Sequence, residues 1–448
     1  MPYDSDPRTP RFPKERIDRL TGPLQRFVRV EAAGGVVLVL CTVVALVVAN
    51  SPLGPAYHHF WATEVGIQVG RFRLVHSLEH WINDGLMVLF FFVVGLEVKR
   101  EVVLGELRDP RRAALPIVAA LGGMVVPAAI YLALQGGGPA ARGWGIPMAT
   151  DIAFVVGCLA LLGPRVPSGL RIMLLSLAIA DDIGAILVIA IGYSAGVYPV
   201  PLLLGCSGIG VVLALRYLGV RAFGMYTLIG LLIWLAFLHS GIHTTVAGVI
   251  LGLLTPARPY FDTTLFSGFL GHANDFLHGD AWDREHDRAG RVRALGRATR
   301  ERVSPVEYLE SVLHPWVGFV ILPIFALANA GVVVNMGQLG DPVARAVAIS
   351  LILGKPIGIL LFSWLAVRAN LARLPQGVGW PAIVGGGILA GIGFTMALFI
   401  GGLALDGAAR DAAKVGILGA STVAAGVGMI VLFWTLPAPG AGRRSLEL

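Results

Sequence analysis

Two adjacent aspartates, Asp181 and Asp182, interrupt the apolar run Leu177-Ala178-Ile179-Ala180-Asp181-Asp182-Ile183-Gly184-Ala185-Ile186. Two more ionisable side chains sit in comparable settings: Asp151 in Gly145-Ile146-Pro147-Met148-Ala149-Thr150-Asp151, and Lys355 in Leu353-Gly354-Lys355-Pro356. Carboxylates without a Cys or His cluster offer oxygen ligands, which suit hard cations rather than transition metals. Consecutive residues on a helix point about 100° apart, because a turn takes 3.6 residues. Asp181 and Asp182 therefore serve different partners. Burial and a nearby lysine act in opposite directions on a carboxylate's proton affinity. If one aspartate pairs with Lys355, the other can hold either a proton or a hard cation, not both at full strength. That competition is the minimum machinery for exchange. A structural ion pair between Lys355 and one aspartate accounts for two of the four charges and leaves two carboxylates unexplained.

The elements that must carry these residues are membrane spans. Of 448 residues, 56% are hydrophobic and 14% charged, and the mean hydropathy is +0.75. Soluble domains carry about 25% charged residues, so a soluble fold has too little polar surface here. The 58 glycines fit closely approaching membrane helices. Predominantly apolar runs of spanning length occur at 33–50, 84–105, 113–134, 145–162, 170–194, 198–216, 220–238, 239–255, 311–334, 342–367, 380–405 and 412–436. An ionisable group at the centre of such a run costs about 2.5–3.5 kcal/mol to insert, so each one invites a functional reading.

Lysine and arginine set the orientation. They concentrate in the N-terminal segment, in the connections after the second, fourth, sixth, eighth and tenth runs, and in the tail. Twelve spans with both ends in the cytoplasm follow. The net charge of +7 then belongs to this asymmetry and not to nucleic acid. Cys41, Cys158 and Cys206 all fall in apolar runs and are expected as small core residues, not as a disulfide framework.

Two connections are more than loops. Val65-Gly66-Ile67-Gln68-Val69, a turn at Gly70-Arg71, and Phe72-Arg73-Leu74-Val75 alternate with strand period and predict a periplasmic hairpin over about 63–76. Its free edge could pair with a second copy. The segment 256–306 mixes arginines with Asp275, Asp280, Asp283, Glu285 and Asp287 and reads as a solvated cytoplasmic insertion without a catalytic signature. Asp84, beside Asn83, reads as an N-cap of its span.

Two runs are interrupted by helix-unfavourable residues: Gly143, Gly145 and Pro147 ahead of Asp151, and Gly385-Gly386-Gly387 followed by Gly391-Ile392-Gly393-Phe394-Thr395. Interrupted spans at matching places in two halves point to a transporter's binding site. The matching blocks are 113–194 and 342–436, which start on opposite sides of the membrane, so the repeat is inverted.

Further motifs carry a resemblance. Trp81-Ile82-Asn83-Asp84-Gly85-Leu86-Met87, Val94-Gly95-Leu96-Glu97-Val98-Lys99-Arg100-Glu101, Ala149-Thr150-Asp151-Ile152-Ala153-Phe154, Gly241-Ile242-His243-Thr244-Thr245-Val246-Ala247-Gly248 and Leu322-Pro323-Ile324-Phe325-Ala326-Leu327-Ala328-Asn329-Ala330-Gly331, with the aspartate and glycine stretches above, resemble the NhaA-type sodium/proton antiporters in order from about residue 25 to 436. The resemblance implies an all-α integral membrane protein with twelve transmembrane helices, two inverted-topology repeats, two discontinuous crossing helices and a small periplasmic β-hairpin. It implies that Asp182 binds sodium or lithium in alternation with protons, that Asp181 pairs with Lys355, and that Thr150 and Asp151 sit where the broken helices cross. Glu97, Arg100 and Glu101 resemble a cytoplasmic cluster tied to activation at alkaline pH; on residues alone they read as interfacial charge, and His243 as a packed or interfacial histidine. The long 256–306 insertion departs from the family pattern. No cofactor is expected beyond the transported ions Na⁺, Li⁺ and H⁺. The implied setting is the inner membrane, as a homodimer.

The resulting organisation is a cytoplasmic segment 1–32, a transport domain 33–436 and a cytoplasmic tail 437–448. Two other readings compete. An intramembrane aspartyl protease would use paired carboxylates sharing a proton, but it needs them on different helices without a lysine neutralising one. A passive cation channel would need no titratable ligand.

Overall fold

In lipid every backbone N–H and C=O must be satisfied within the protein, which leaves helices as the open choice for long apolar runs. The computed structural model describes residues 31–70, 72–194, 196–259, 296, 302–334, 337 and 340–436. The N-terminal segment, the tail and most of 256–306 lie outside the described residues.

Helix α1 (Glu31–Ala49) is followed by the short α2 (Gly54–Ala62), bent from it by 114°. Strands β1 (Glu64–Val69) and β2 (Phe72–Ser77) then form an antiparallel hairpin, registered from Glu64↔Ser77 to Val69↔Phe72. Gly70 sits in its turn at φ +58°, a conformation that a side chain would strain. Next come α3 (Leu78–Trp81), a π-turn at Ile82–Leu86, and α4 (Met87–Val103). Helix α5 (Pro110–Gln135) is capped by Asp109, whose side chain accepts from the Arg111 amide.

The chain continues through a 3₁₀ segment (Pro139–Met148), α6 (Ile152–Leu162), α7 (Ser168–Gly192), α8 (Pro199–Tyr217), α9 (Phe223–Leu238) and α10 (Thr244–Leu254). Helix α11 (Pro305–Trp316), opened by a Ser304–Glu307 capping box, passes through a π-turn at Val317–Ile321 into α12 (Leu322–Asn329). Helix α13 (Pro342–Ile349) passes through a third π-turn, Ser350–Gly354, into α14 (Lys355–Arg368). Helices α15 (Trp380–Ala390), α16 (Phe394–Ala404) and α17 (Gly407–Thr435) complete the described chain.

Among the described residues, seven helices are long and apolar enough to cross a membrane, or up to nine if each bent pair counts as one span. The chain is a multi-pass membrane protein. Its outer surface is apolar, with Leu203 and Ile191 exposed, while Thr150, Asp151, Asp181, Asp182 and Lys355 are each 2% exposed or less. Aliphatic side chains thus face outward as well as inward, while these five polar groups are enclosed.

Glycine sets the tightest crossing. A Cβ on Gly358 of α14 would stand 2.1 Å from the Gly122 carbonyl oxygen of α5, and one on Gly122 would stand 2.2 Å from that of Gly358. Only hydrogen fits there, and that contact brings Lys355 alongside α5 and α7.

Two expectations are corrected. Asp84 is not an N-cap: it lies inside the π-turn, and Ser77 caps α3 by accepting from the His80 amide. Asp84 instead accepts from the Thr244 hydroxyl at 2.9 Å, with His80 and His243 beside it. Of the three cysteines only Cys158 is buried; Cys41 is half-buried and Cys206 exposed, because an apolar run in this protein has a lipid-facing side. All three are free thiols.

Candidate ion-exchange site

The two interrupted helices break at the same place in space. The chain between the 3₁₀ segment and α6 is extended at Ala149 and Asp151, and α15 is bent from α16 by 44° around Gly391–Gly393. The breaks bond to each other through the main chain, the Asp151 amide donating to Ile392 O at 2.7 Å. The Thr150 hydroxyl donates to Ala390 O at 3.0 Å. Each break thus supplies donors or acceptors that the other lacks, as depth in a membrane requires.

Asp151 holds the crossing together. Its Oδ1 accepts from the Phe154 amide at 3.1 Å, capping α6. Its Oδ2 accepts from the Thr395 amide at 3.0 Å and from the Thr395 hydroxyl, capping α16. One carboxylate therefore faces the first turns of two helices, where the helix dipole favours negative charge.

Lys355 is the first residue of α14, directly after the π-turn. Its ammonium donates to Asp181 Oδ2 at 2.7 Å, and both side chains are fully buried. It also donates to Met148 O, the last carbonyl of the 3₁₀ segment. Thr150 lies beside Asp181 as well. Helix α7 carries both aspartates, yet Lys355 takes Asp181 alone. Asp182 Oδ1 is buried without a hydrogen-bond partner, and so is Asp181 Oδ1. The charges within electrostatic reach of Asp182 are Asp181, Glu97, Asp151 and Lys355. The site is short of donors and rich in carboxylate oxygen, which is an environment for a cation or a proton.

The second group, Glu97, Arg100 and Glu101, lies on α4. Arg100 pairs with Glu310, and Glu97 lies 3.4 Å from His314, both partners being on α11. Glu101 accepts from the Glu106 amide at 2.9 Å and from the Ser176 hydroxyl of α7 at 3.3 Å. Sequence reading singled out neither Glu310 nor His314. Their signal was available: a Glu and a His four apart in Pro305–Trp316 share one helix face. Thr395 was read only as part of a glycine-rich break, and nothing in its type marks it as a donor to Asp151.

A separate cavity of about 950 Å³ opens between α4 and α8–α11, lined by Leu89, Phe92, Arg216, Tyr226 and Trp234 among others. None of Asp151, Asp181, Asp182 and Lys355 lines it.

Residues 25–432 match the family model described as Na⁺/H⁺ antiporter 1. The chain belongs to that family. It is 55% identical over 428 residues to the Na(+)/H(+) antiporter NhaA of Rhodopirellula baltica, covering 96% of this chain and 97% of that one. It is 49% identical to the NhaA of Rhizobium meliloti, over 94% of this chain and 97% of the relative. Among solved structures, the sodium proton antiporter MjNhaP1 of Methanocaldococcus jannaschii aligns over 94% of this chain and 95% of its own, with 13% identity and a TM-score of 0.48. The antiporter is a transporter rather than an enzyme, which removes the protease reading.

Proposed function

We propose that this antiporter exchanges Na⁺, and Li⁺ with it, for H⁺ by alternating access, with Asp182 holding either the cation or the proton. The observation that carries this reading is the inequality of two neighbouring carboxylates. Asp181 is bonded to Lys355 at 2.7 Å, whereas Asp182 Oδ1 has no donor. Asp182 must release H⁺ before it holds Na⁺, and that order couples the two fluxes.

In this reading Thr150, Asp151 and Lys355 support the site, and Asp181 contributes a second carboxylate oxygen to the cation. A cycle moving more protons than sodium ions is electrogenic, with Lys355 keeping the site's charge balanced. Twelve spans with both termini in the cytoplasm, an inner-membrane location and inverted repeats at 113–194 and 342–436 complete the picture. The order of elements supports the repeat: α5, the broken 3₁₀–α6 and α7 on one side match α13–α14, the broken α15–α16 and α17 on the other. Glu97, Arg100 and Glu101 lie at the cytoplasmic edge in this topology, where they would respond to pH. The hairpin offers a free edge through which two copies would pair.

The test is Na⁺-dependent dissipation of an imposed pH gradient in proteoliposomes, with Asp182→Asn alongside. Exchange that disappears in the variant supports the assignment. A passive cation channel would discharge voltage without countermovement of protons, and that outcome would overturn it.

A further inference from the structure

The two ends of the span that begins with α3 and continues as α4 are fastened to different parts of the protein. At one end Arg100 and Glu97 engage Glu310 and His314 of α11, Glu101 accepts from Ser176 of α7, and α4 also packs on α10. At the other end Glu79 of α3 reaches Arg410 of α17, Oε1 to Nη1, at 3.3 Å. Helix α17 packs on α13, α15 and α16, the group joined to Lys355 and Thr395. The Glu79–Arg410 pair thus ties the opening of this span to α17, at the end opposite the α11 contacts.

Deeper between the same helices the packing is aromatic. Phe399 of α16 lies 5.4 Å from Phe91 of α4 and 6.2 Å from Phe325 of α12, measured between ring centres. Lys414, one turn along α17 from Arg410, is only 7% exposed and lies within electrostatic reach of Glu79 and Asp411. Arg410 Nε is buried without a partner. Glu79 therefore holds the guanidinium by one of its arms only.

Ion pairs as exposed as this one, 34% and 26% at the two side chains, add little to folding stability. Their leverage is greater where two bodies must separate, because any difference in contact between two conformations shifts their populations. We propose that Glu79 and Arg410 form a gating pair: joined, it holds shut the face of the transporter at which α17 begins, and it parts when Asp182 turns toward that face. This rests on the alternating-access reading above.

The experiment uses the full chain with Cys41, Cys158 and Cys206 replaced by alanine, reconstituted in liposomes. Glu79→Cys and Arg410→Cys are joined by a short bis-thiosulfonate linker that a reducing agent cleaves. The linked protein is expected to lose Na⁺/H⁺ exchange and to regain it after cleavage, which excludes misfolding as the cause. Separately, Glu79→Gln and Arg410→Gln should each change the apparent KM for Na⁺ by about 3- to 10-fold. The reversed pair Glu79→Arg with Arg410→Glu should return it toward the parent value. If the linked protein exchanges as fast as the cleaved one, the gate is refuted while the transport reading stands. If the cysteine-free parent itself moves no Na⁺ against H⁺, the transport reading fails and takes the gate with it.

Discussion

Asp151 and Thr395, 244 positions apart in sequence, are bonded twice, through the amide and the hydroxyl of the threonine to one carboxylate oxygen. That double bond, with the amide of Phe154 on the other oxygen, is the knot at which two interrupted helices meet. Removing the carboxylate leaves buried donors on both. Asp151→Ala should therefore lower thermal stability in detergent by about 3 kcal/mol, and Asp151→Asn, which keeps one acceptor oxygen, by less. Equal melting temperatures for alanine variant and parent would contradict the arrangement.

Lys355 and Asp181 should behave as a pair. Breaking a buried ion pair from one side costs about 3–5 kcal/mol because a charge is stranded. Lys355→Met should show that loss in a thermal melt, and adding Asp181→Asn should restore much of it. A double variant no more stable than Lys355→Met would mean that the lysine acts through Met148 O alone.

The competition proposed at Asp182 would carry a pH signature. As pH falls the proton displaces the cation, so the apparent KM for Na⁺ should rise by about tenfold per pH unit across the range in which the site is mostly protonated. Initial rates over several Na⁺ concentrations at each pH measure this. A KM independent of pH, with only the maximal rate changing, would place proton and sodium on separate groups.

The crossing of α5 and α14 tolerates no side chain. Gly358→Val should abolish accumulation of folded protein, since a Cβ there meets Gly122 O at 2.1 Å. Gly426→Ala on α17 has open space around it and should be neutral, or stabilising by up to about 1 kcal/mol. Fluorescence-detected size exclusion of the two variants separates these outcomes.

Much of the site was legible because charge inside an apolar run is conspicuous. Asp151, Asp181, Asp182 and Lys355 needed no structure to be noticed, and opposite signs nominated Lys355 as a partner for one aspartate. Which one was not legible from the residues alone, since the choice depends on how α14 is rotated. The bonds to Met148 O and Ile392 O were invisible for a different reason: every residue carries a carbonyl, so main-chain acceptors leave no trace in composition. The hairpin was readable from its alternation, and its register from Gly66↔Val75 to Val69↔Phe72 follows from the two-residue turn. Asp84 was misread because a capping residue type beside an apolar run looks the same whether the helix is capped there or at Ser77, seven residues earlier. The π-turn that contains it has no side-chain signature. Glu79 and Arg410 lie 331 positions apart, and nothing local announces either.

The widened turn at Ser350–Gly354 stores one residue of chain length directly ahead of Lys355. A π-turn holds one residue more than an ordinary turn of helix, so deleting any single residue within it would let the backbone relax to regular α-helix. Everything downstream would then keep its facing, whereas the loss of one residue from the regular turns of α13 would swing Lys355 by about 100° around the axis and off Asp181. A one-residue deletion is therefore absorbed within this stretch and not in the regular turns on either side.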